Sequence, residues 1–200
     1  MANIIGLTGQ TGAGKSTALK LFQKRGAAVI DADSVAHRIT DEDLRCLVEI
    51  VTAFSCLVLN DQGKLNRKAL GKMVFSDPKK LQTLNKIIFP YIYEAVQKEI
   101  DANIASGYRT VVVDGATLIE SGCSKLCAVL ISVTAEKETR EKRIIARDGL
   151  SKADAERRIS AQQPEEFYTK NSDFVIKNDG TPAELEKKVD TVIRAVLKTV

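Results

Sequence analysis

Eight residues near the start of the chain, Gly9-Gln10-Thr11-Gly12-Ala13-Gly14-Lys15-Ser16, follow the pattern G-x-x-x-x-G-K-[ST] in full. The string constrains the fold because it works only as the turn between a buried strand and a helix. Its glycines let the backbone curl until the N–H groups point at phosphate oxygens, and the helix that follows adds the positive end of its dipole. An apolar run, Ile4-Ile5-Gly6-Leu7, comes directly before it, and a helical run over 18–22 follows. Gly12, Ala13, Gly14, Lys15, Ser16 and Thr17 are therefore the candidate nucleotide-binding residues. Lys15 supplies a mobile charge to the β- and γ-phosphates, and Ser16 offers its hydroxyl to Mg²⁺.

Four further apolar runs match the first. Strands are expected over 3–8, 28–31, 110–114, 128–133 and 174–177, each nearly continuous in apolar residues, as strands buried on both faces require. Amphipathic stretches alternate with them, so the fold class is α/β: a five-stranded parallel sheet with helices on both faces. The last helix opens with Thr181-Pro182-Ala183-Glu184, an N-cap, first-turn proline and capping-box glutamate in order, and carries a stripe at Leu185, Val189, Val192, Val196 and Val200. Residues 32–109 exceed what one crossover helix needs and read as a helical insert. It contains a turn at 60–63, helices over 34–39 and 69–75, a helix-opening Asp77-Pro78 and an amphipathic run over 91–104. A charged insert over 147–170, with its own cap at Ser151, reads as a small lid. The core is then 1–31, 110–146 and 171–200.

With 44% apolar and 28% charged residues, the chain reads as a soluble globular domain. A net charge of +4 is too small for a nucleic-acid sheath but compatible with an anionic small molecule. His37 is the single histidine, which excludes zinc sites needing two imidazoles and leaves a Ser-His-Asp hydrolase without support. Four cysteines are far too few for a disulfide scaffold, no signal peptide is expected, and no window approaches a membrane span. The expected setting is the cytoplasm, without nucleic-acid or membrane partners. Cys123 and Cys127 form C-x₃-C with no second pair, and a buried structural role is expected for them.

Several residues then compete for chemistry. Val111-Val112-Val113-Asp114 is a strand ending in a carboxylate, placed either to reach Mg²⁺ through water at the substrate site or to cap the next turn. Asp31-Ala32-Asp33 ends the second strand on the edge that carries the phosphate loop. Asp33 is placed to orient or deprotonate an attacking hydroxyl and to help hold the metal, or else to cap the helix that follows. Five of the eleven arginines, Arg140, Arg143, Arg147, Arg157 and Arg158, fall within 19 residues. They suit charge stabilisation by a mobile lid, or a solvated face paired with Glu136, Glu138 and Glu141.

The phosphate loop on the first strand, the long insert after the second and the Arg-rich segment before the fifth resemble the nucleotide-monophosphate-kinase-like branch of P-loop proteins. Within it, the chain is similar to the dephospho-coenzyme A kinase family. Val29-Ile30-Asp31-Ala32-Asp33, Leu65-Asn66-Arg67-Lys68-Ala69-Leu70 and Val74-Phe75-Ser76-Asp77-Pro78 carry that resemblance. So do Ala146-Arg147-Asp148-Gly149-Leu150-Ser151, Ala161-Gln162 and Asn178-Asp179-Gly180. It implies ATP as phosphoryl donor and dephospho-coenzyme A as acceptor, with transfer to the ribose 3′-hydroxyl. It also implies Asp33 as base or orienting group, Arg143 and Arg147 on the ATP phosphates, Asn178 beside the adenine, and the 32–109 insert around the acceptor. Arg67 is the candidate for an acceptor phosphate. Two departures fall in the expected acceptor region: Phe89-Pro90 where the family usually has His-Pro, and Gly115-Ala116-Thr117-Leu118-Ile119-Glu120 after the third strand.

Three readings follow: this kinase, or one acting on another small metabolite; a P-loop GTPase or regulatory ATPase; and a nucleotide-binding protein without transfer activity. The absence of an Asn-Lys-x-Asp string weighs against a GTPase. The presence of Lys15, Ser16, Asp33 and Arg143 weighs against an inactive protein.

Overall fold

In the computed structural model, described over residues 2–199, five strands lie side by side and parallel. They are β1 (Asn3–Gly9), β2 (Ala28–Asp31), β3 (Thr110–Asp114), β4 (Val129–Thr134) and β5 (Phe174–Lys177), in the spatial order β2-β3-β1-β4-β5. Burial on both faces explains why the sequences of the central strands do not alternate; the edge strand β5 departs from the expectation, with Val175 exposed, because no strand flanks it on its outer side. Val111, Val112 and Val113 are all fully buried, although successive side chains point to opposite faces. The register sets Leu7 and Asp31 on either side of Asp114, so the C-terminal ends of β1, β2 and β3 finish together. The phosphate loop leaves the sheet at that edge.

Two helices, α1 (Lys15–Lys24) and α9 (Pro182–Thr199), cover one face, where Phe22, Leu185, Val189 and Val196 pack on Ile5, Val112, Ile131 and Val133. The capping box at the start of α9 forms as predicted: the Thr181 N–H donates to Glu184 Oε2 (2.7 Å), and the Glu184 N–H to Thr181 Oγ1 (3.3 Å). Val200, last of the predicted stripe, lies outside the described residues.

Residues between β2 and β3 form α2 (Ala32–Glu42), α3 (Leu44–Phe54), α4 (Arg67–Phe75) and α5 (Pro78–Ala105). The sequence predicts the helix-opening Asp77-Pro78 and a separate run over 91–104; the structure joins them into one helix that passes through Pro90. A proline inside a helix removes a hydrogen bond and costs about 3 kcal/mol or more, so packing must outweigh that loss. The C-terminal half of α5 packs on the sheet through Ile92, Val96 and Ile100. Its N-terminal half joins a second core, where Leu81, Leu84 and Ile87 meet Cys46, Ile50, Leu70 and Val74. Cys123 sits in the sheet-side core of α5, with Cys127 packed against it.

The segment after β4 forms α6 (Lys137–Asp148), α7 (Lys152–Ser160) and α8 (Glu165–Lys170). Ser151 caps α7 as expected, its hydroxyl oxygen accepting from the Asp154 N–H. A small cluster of Ile144, Ala155 and Ile159 joins α6 to α7.

Candidate active site

Most helices near the site begin with a side chain that satisfies their first N–H groups. Asp31 caps α2, Asp43 caps α3, Asn66 caps α4 and Asp77 caps α5. In contrast, α1 is preceded by Gly14 in the capping position, which has no side chain to offer, and its first turn contains no acid. Its leading N–H groups and the positive end of its dipole therefore face the cavity beside the loop. Gly12 has φ +77°, and a Cβ there would stand 2.7 Å from the Arg140 carbonyl oxygen, so backbone strain and close packing both demand glycine.

The carbonyls of the loop are tied outward. Asn178 Nδ2 donates to the Ala13 carbonyl (2.7 Å). Arg143 Nη1 donates to the Asn178 carbonyl at 2.9 Å and, at 3.4 Å, to the carbonyls of Gly12 and Ala13. Arg140 Nε donates to the Thr11 carbonyl (3.0 Å), while the Thr11 N–H donates to Gln162 Oε1 (2.7 Å). The Thr11, Gly12 and Ala13 carbonyls are thus held from outside, while the Ala13 N–H is taken up within the loop by the Gln10 carbonyl.

Arg140 departs from expectation. The sequence places it either among mobile charge-stabilising arginines or on a solvated face; the structure buries it to 4% exposure as a brace behind the loop. Burial pushes its pKa down. Arg157 pairs with Asp154 and does not line the phosphate cavity. Arg143, Arg147 and Arg158 do line it; Arg147 makes a bidentate pair with Asp148 (2.7 and 2.8 Å), and Arg158 joins the same carboxylate. Two of the three glutamates offered as partners are engaged elsewhere, Glu136 with Lys177 and Glu141 with Lys152.

The phosphate cavity, about 860 Å³, is lined by the loop except Ala13, which is fully buried, and by Lys15, Ser16, Thr17, Asp33 and these arginines. Lys15 Nζ reaches across to Asp114 Oδ1 at 2.5 Å. Burial pushes the Asp114 carboxyl up, and the Lys15 ammonium offsets only part of that rise. Asp114 therefore accepts from Lys15 rather than capping the next turn. Asp31, not Asp33, caps α2: Asp31 Oδ1 accepts from the N–H groups of Asp33 and Ser34 (3.0 and 3.1 Å). Burial pushes its carboxyl up, but hydrogen bonds from Ser34 and Asp33 and the charge of Lys15 leave it below its ordinary value.

Asp33 is exposed in the first turn of α2 and lines a second cavity of about 540 Å³. Arg67 and His37 share that wall, where Arg67 Nη2 donates to the His37 carbonyl and pairs with Asp41, both at 2.8 Å. A third cavity of about 590 Å³ adjoins both. Phe89, Ala116, Thr117 and Glu120 line it, so the two departures from the family pattern, far apart in sequence, meet at one surface. Burial pushes the Glu120 carboxyl up. The sequence assigns no role to Gln162 and no bracing role to Asn178, because their partners lie 151 and 165 residues away.

A family model described as dephospho-CoA kinase matches residues 3–184. A dephospho-CoA kinase from Geobacter sulfurreducens is 37% identical over 190 residues, covering 95% of this chain and 96% of the relative. One from Arabidopsis thaliana is also 37% identical over 190 residues, covering 95% and 82%. Among solved structures, the Campylobacter jejuni dephospho-CoA kinase aligns at TM-score 0.72 and 30% identity, covering 100% of this chain and 99% of that one. A shikimate kinase from Bacteroides thetaiotaomicron shares the fold at TM-score 0.56 and 14% identity, covering 97% and 98%. The chain belongs to the dephospho-CoA kinase family.

Proposed function

We propose that this protein transfers the γ-phosphoryl group of ATP to the ribose 3′-hydroxyl of dephospho-coenzyme A, giving coenzyme A and ADP, the last step of coenzyme A biosynthesis. Family membership supports the reaction, and one geometric observation supports the assignment of roles. Asp33 lines both the phosphate cavity and the adjoining cavity, while Asp31 takes the capping duty that would otherwise occupy it. A release of phosphate to water, or binding without transfer, has no comparable support.

In this reading Gly12, Ala13, Gly14, Lys15, Ser16 and Thr17 hold the ATP phosphates through backbone N–H groups and the start of α1. Lys15 exchanges Asp114 for phosphate oxygens. Arg143 and Arg147 neutralise charge that spreads over the transferring group. The Asp33 carboxylate takes the proton of the 3′-hydroxyl as its oxygen attacks phosphorus and ADP leaves. Arg67 holds an acceptor phosphate at the wall of the second cavity, Asn178 lies by the adenine, the 32–109 insert encloses the acceptor, and 147–170 closes as a lid.

Mg²⁺ suits the donor set. The Ser16 hydroxyl and the Asp33 carboxylate line the same cavity, and no cluster of three or more metal-ligating side chains occurs among the described residues. A cation shared between one or two protein oxygens, phosphate and water is the usual arrangement for Mg²⁺. When bound with the nucleotide, it neutralises the β- and γ-oxygens. No helix of the described residues is long and apolar enough to cross a membrane, and a cytoplasmic setting is proposed.

ADP release with Mg²⁺-ATP across dephospho-coenzyme A, AMP, UMP, shikimate and no acceptor tests the proposal. Strong stimulation by dephospho-coenzyme A is expected. Equal stimulation by all, or by none, overturns it.

A further inference from the structure

Among the described residues, Phe75 is the most exposed of the large apolar side chains, at 80%. Single exposed apolar residues are ordinary, but this one does not stand on the outer surface of the insert. Among the described residues it alone lines all three adjoining cavities. With Asp33 it is one of two residues shared by the phosphate cavity and the cavity that contains Arg67.

Its backbone is fixed although its ring is free. Phe75 is the last residue of α4; Val74 beside it is buried in the insert core. The Ser76 hydroxyl donates back to the Lys72 and Met73 carbonyls, and Asp77 at once caps α5. Gly71, one turn earlier, adds no side chain under the ring. A Cβ there would meet Phe75 Cε2 at 3.4 Å, an ordinary contact, and Gly71 has no positive φ. Neither sterics nor backbone demands that glycine, which costs helix stability relative to alanine. It leaves open space against the ring, on the wall that also includes Leu65, Leu70 and Ile88.

A phenyl ring on a rigid corner, bordered by apolar side chains, offers a π-face and no hydrogen bond. It suits a planar heterocycle whose attached sugar reaches Asp33. The geometry points to Phe75 as the residue on which the purine ring of the acceptor stacks, placing the ribose hydroxyl at the Asp33 carboxylate. This rests on the proposed reaction and adds a specificity residue to it.

The test compares wild type, Phe75→Leu and Phe75→Trp with dephospho-coenzyme A and with AMP, a fragment that keeps base and ribose but lacks the pantetheine arm. Base–aromatic stacking sets the scale. Phe75→Leu keeps apolar bulk and is expected to raise KM for either acceptor by about tenfold, with kcat and KM for ATP within about twofold of wild type. Phe75→Trp is expected to stay within about twofold throughout. An unchanged acceptor KM in Phe75→Leu overturns the proposal. So does a rise confined to dephospho-coenzyme A, which would put the ring on the arm, or a rise only in acceptor-free ATP hydrolysis, which would make it a water shield. If wild type shows no acceptor-stimulated ADP release, the reaction itself fails; if wild type is active and Phe75→Leu matches it, only the stacking role fails.

Discussion

The phosphate loop and the helical wall opposite it are held by different forces. Asn178, Arg143, Arg140 and Gln162 bond to the loop backbone from positions 129 to 165 residues away, and Arg140 and Asn178 are themselves buried. The wall of α2, α4 and the first half of α5 has its own apolar core. Its polar ties lie at the surface, such as Arg67 with Asp41. Buried hydrogen bonds are costly to break, whereas exposed ion pairs contribute about 0–1 kcal/mol. In the proposed reaction the donor side is thus the more firmly tied of the two, and the acceptor side rests on its apolar core.

Substitutions can separate the two sides. The largest effect is expected at their junction: Asp33→Asn should lower kcat by about 10²- to 10⁴-fold while calorimetry finds ATP affinity nearly unchanged. Next comes Gly12→Ala, which forces a side chain into φ +77° and against the Arg140 backbone. Titration should show ATP binding weakened roughly 10- to 100-fold, with any loss of acceptor affinity much smaller. Asn178→Ala leaves the Ala13 carbonyl without its buried donor. It should cost about 1–3 kcal/mol, read as a Tm lowered by roughly 5 °C.

Smaller effects sharpen the contrast. Asp31→Ala removes a helix cap worth about 1 kcal/mol at neutral pH. Because the folded-state carboxyl sits below its ordinary value of 3.8, that stability is present above pH 3.8 and lost as pH falls through the folded pKa. The gap between wild type and variant in denaturant melts should close there. Arg67→Ala breaks a half-exposed pair, so melting should move by no more than about 1 kcal/mol, while KM for the acceptor rises several-fold and KM for ATP holds. An equal rise in both would erase the distinction between the two sides.

Local chemistry was readable from the sequence. The five strands lie within a residue of their expected bounds because each is a nearly unbroken apolar run, although in β5 only Ile176 is buried. Asp77-Pro78 and Thr181-Pro182-Ala183-Glu184 mark helix starts because caps act within one turn. The union of α5 across Pro90 was hidden, since only two distant cores make a helix with an internal proline favourable. Arg140 looked like its neighbours on α6, and nothing local distinguishes an arginine that braces a backbone from one that meets solvent or ligand. Phe89 and the 115–120 segment could be flagged separately, but their meeting in one cavity depends on the tertiary arrangement.

That 28-residue helix has a mechanical consequence. At 1.5 Å per residue, α5 is a rod of about 42 Å, clamped in the sheet at one end and in the insert at the other. Pro90 removes one rung between the clamps, next to Ile88 and Phe89 on the cavity wall. Bending of the rod is cheapest at such a point. A tilt of the 32–109 segment would therefore turn about a point on the wall of the third cavity, and not within the sheet or the phosphate loop.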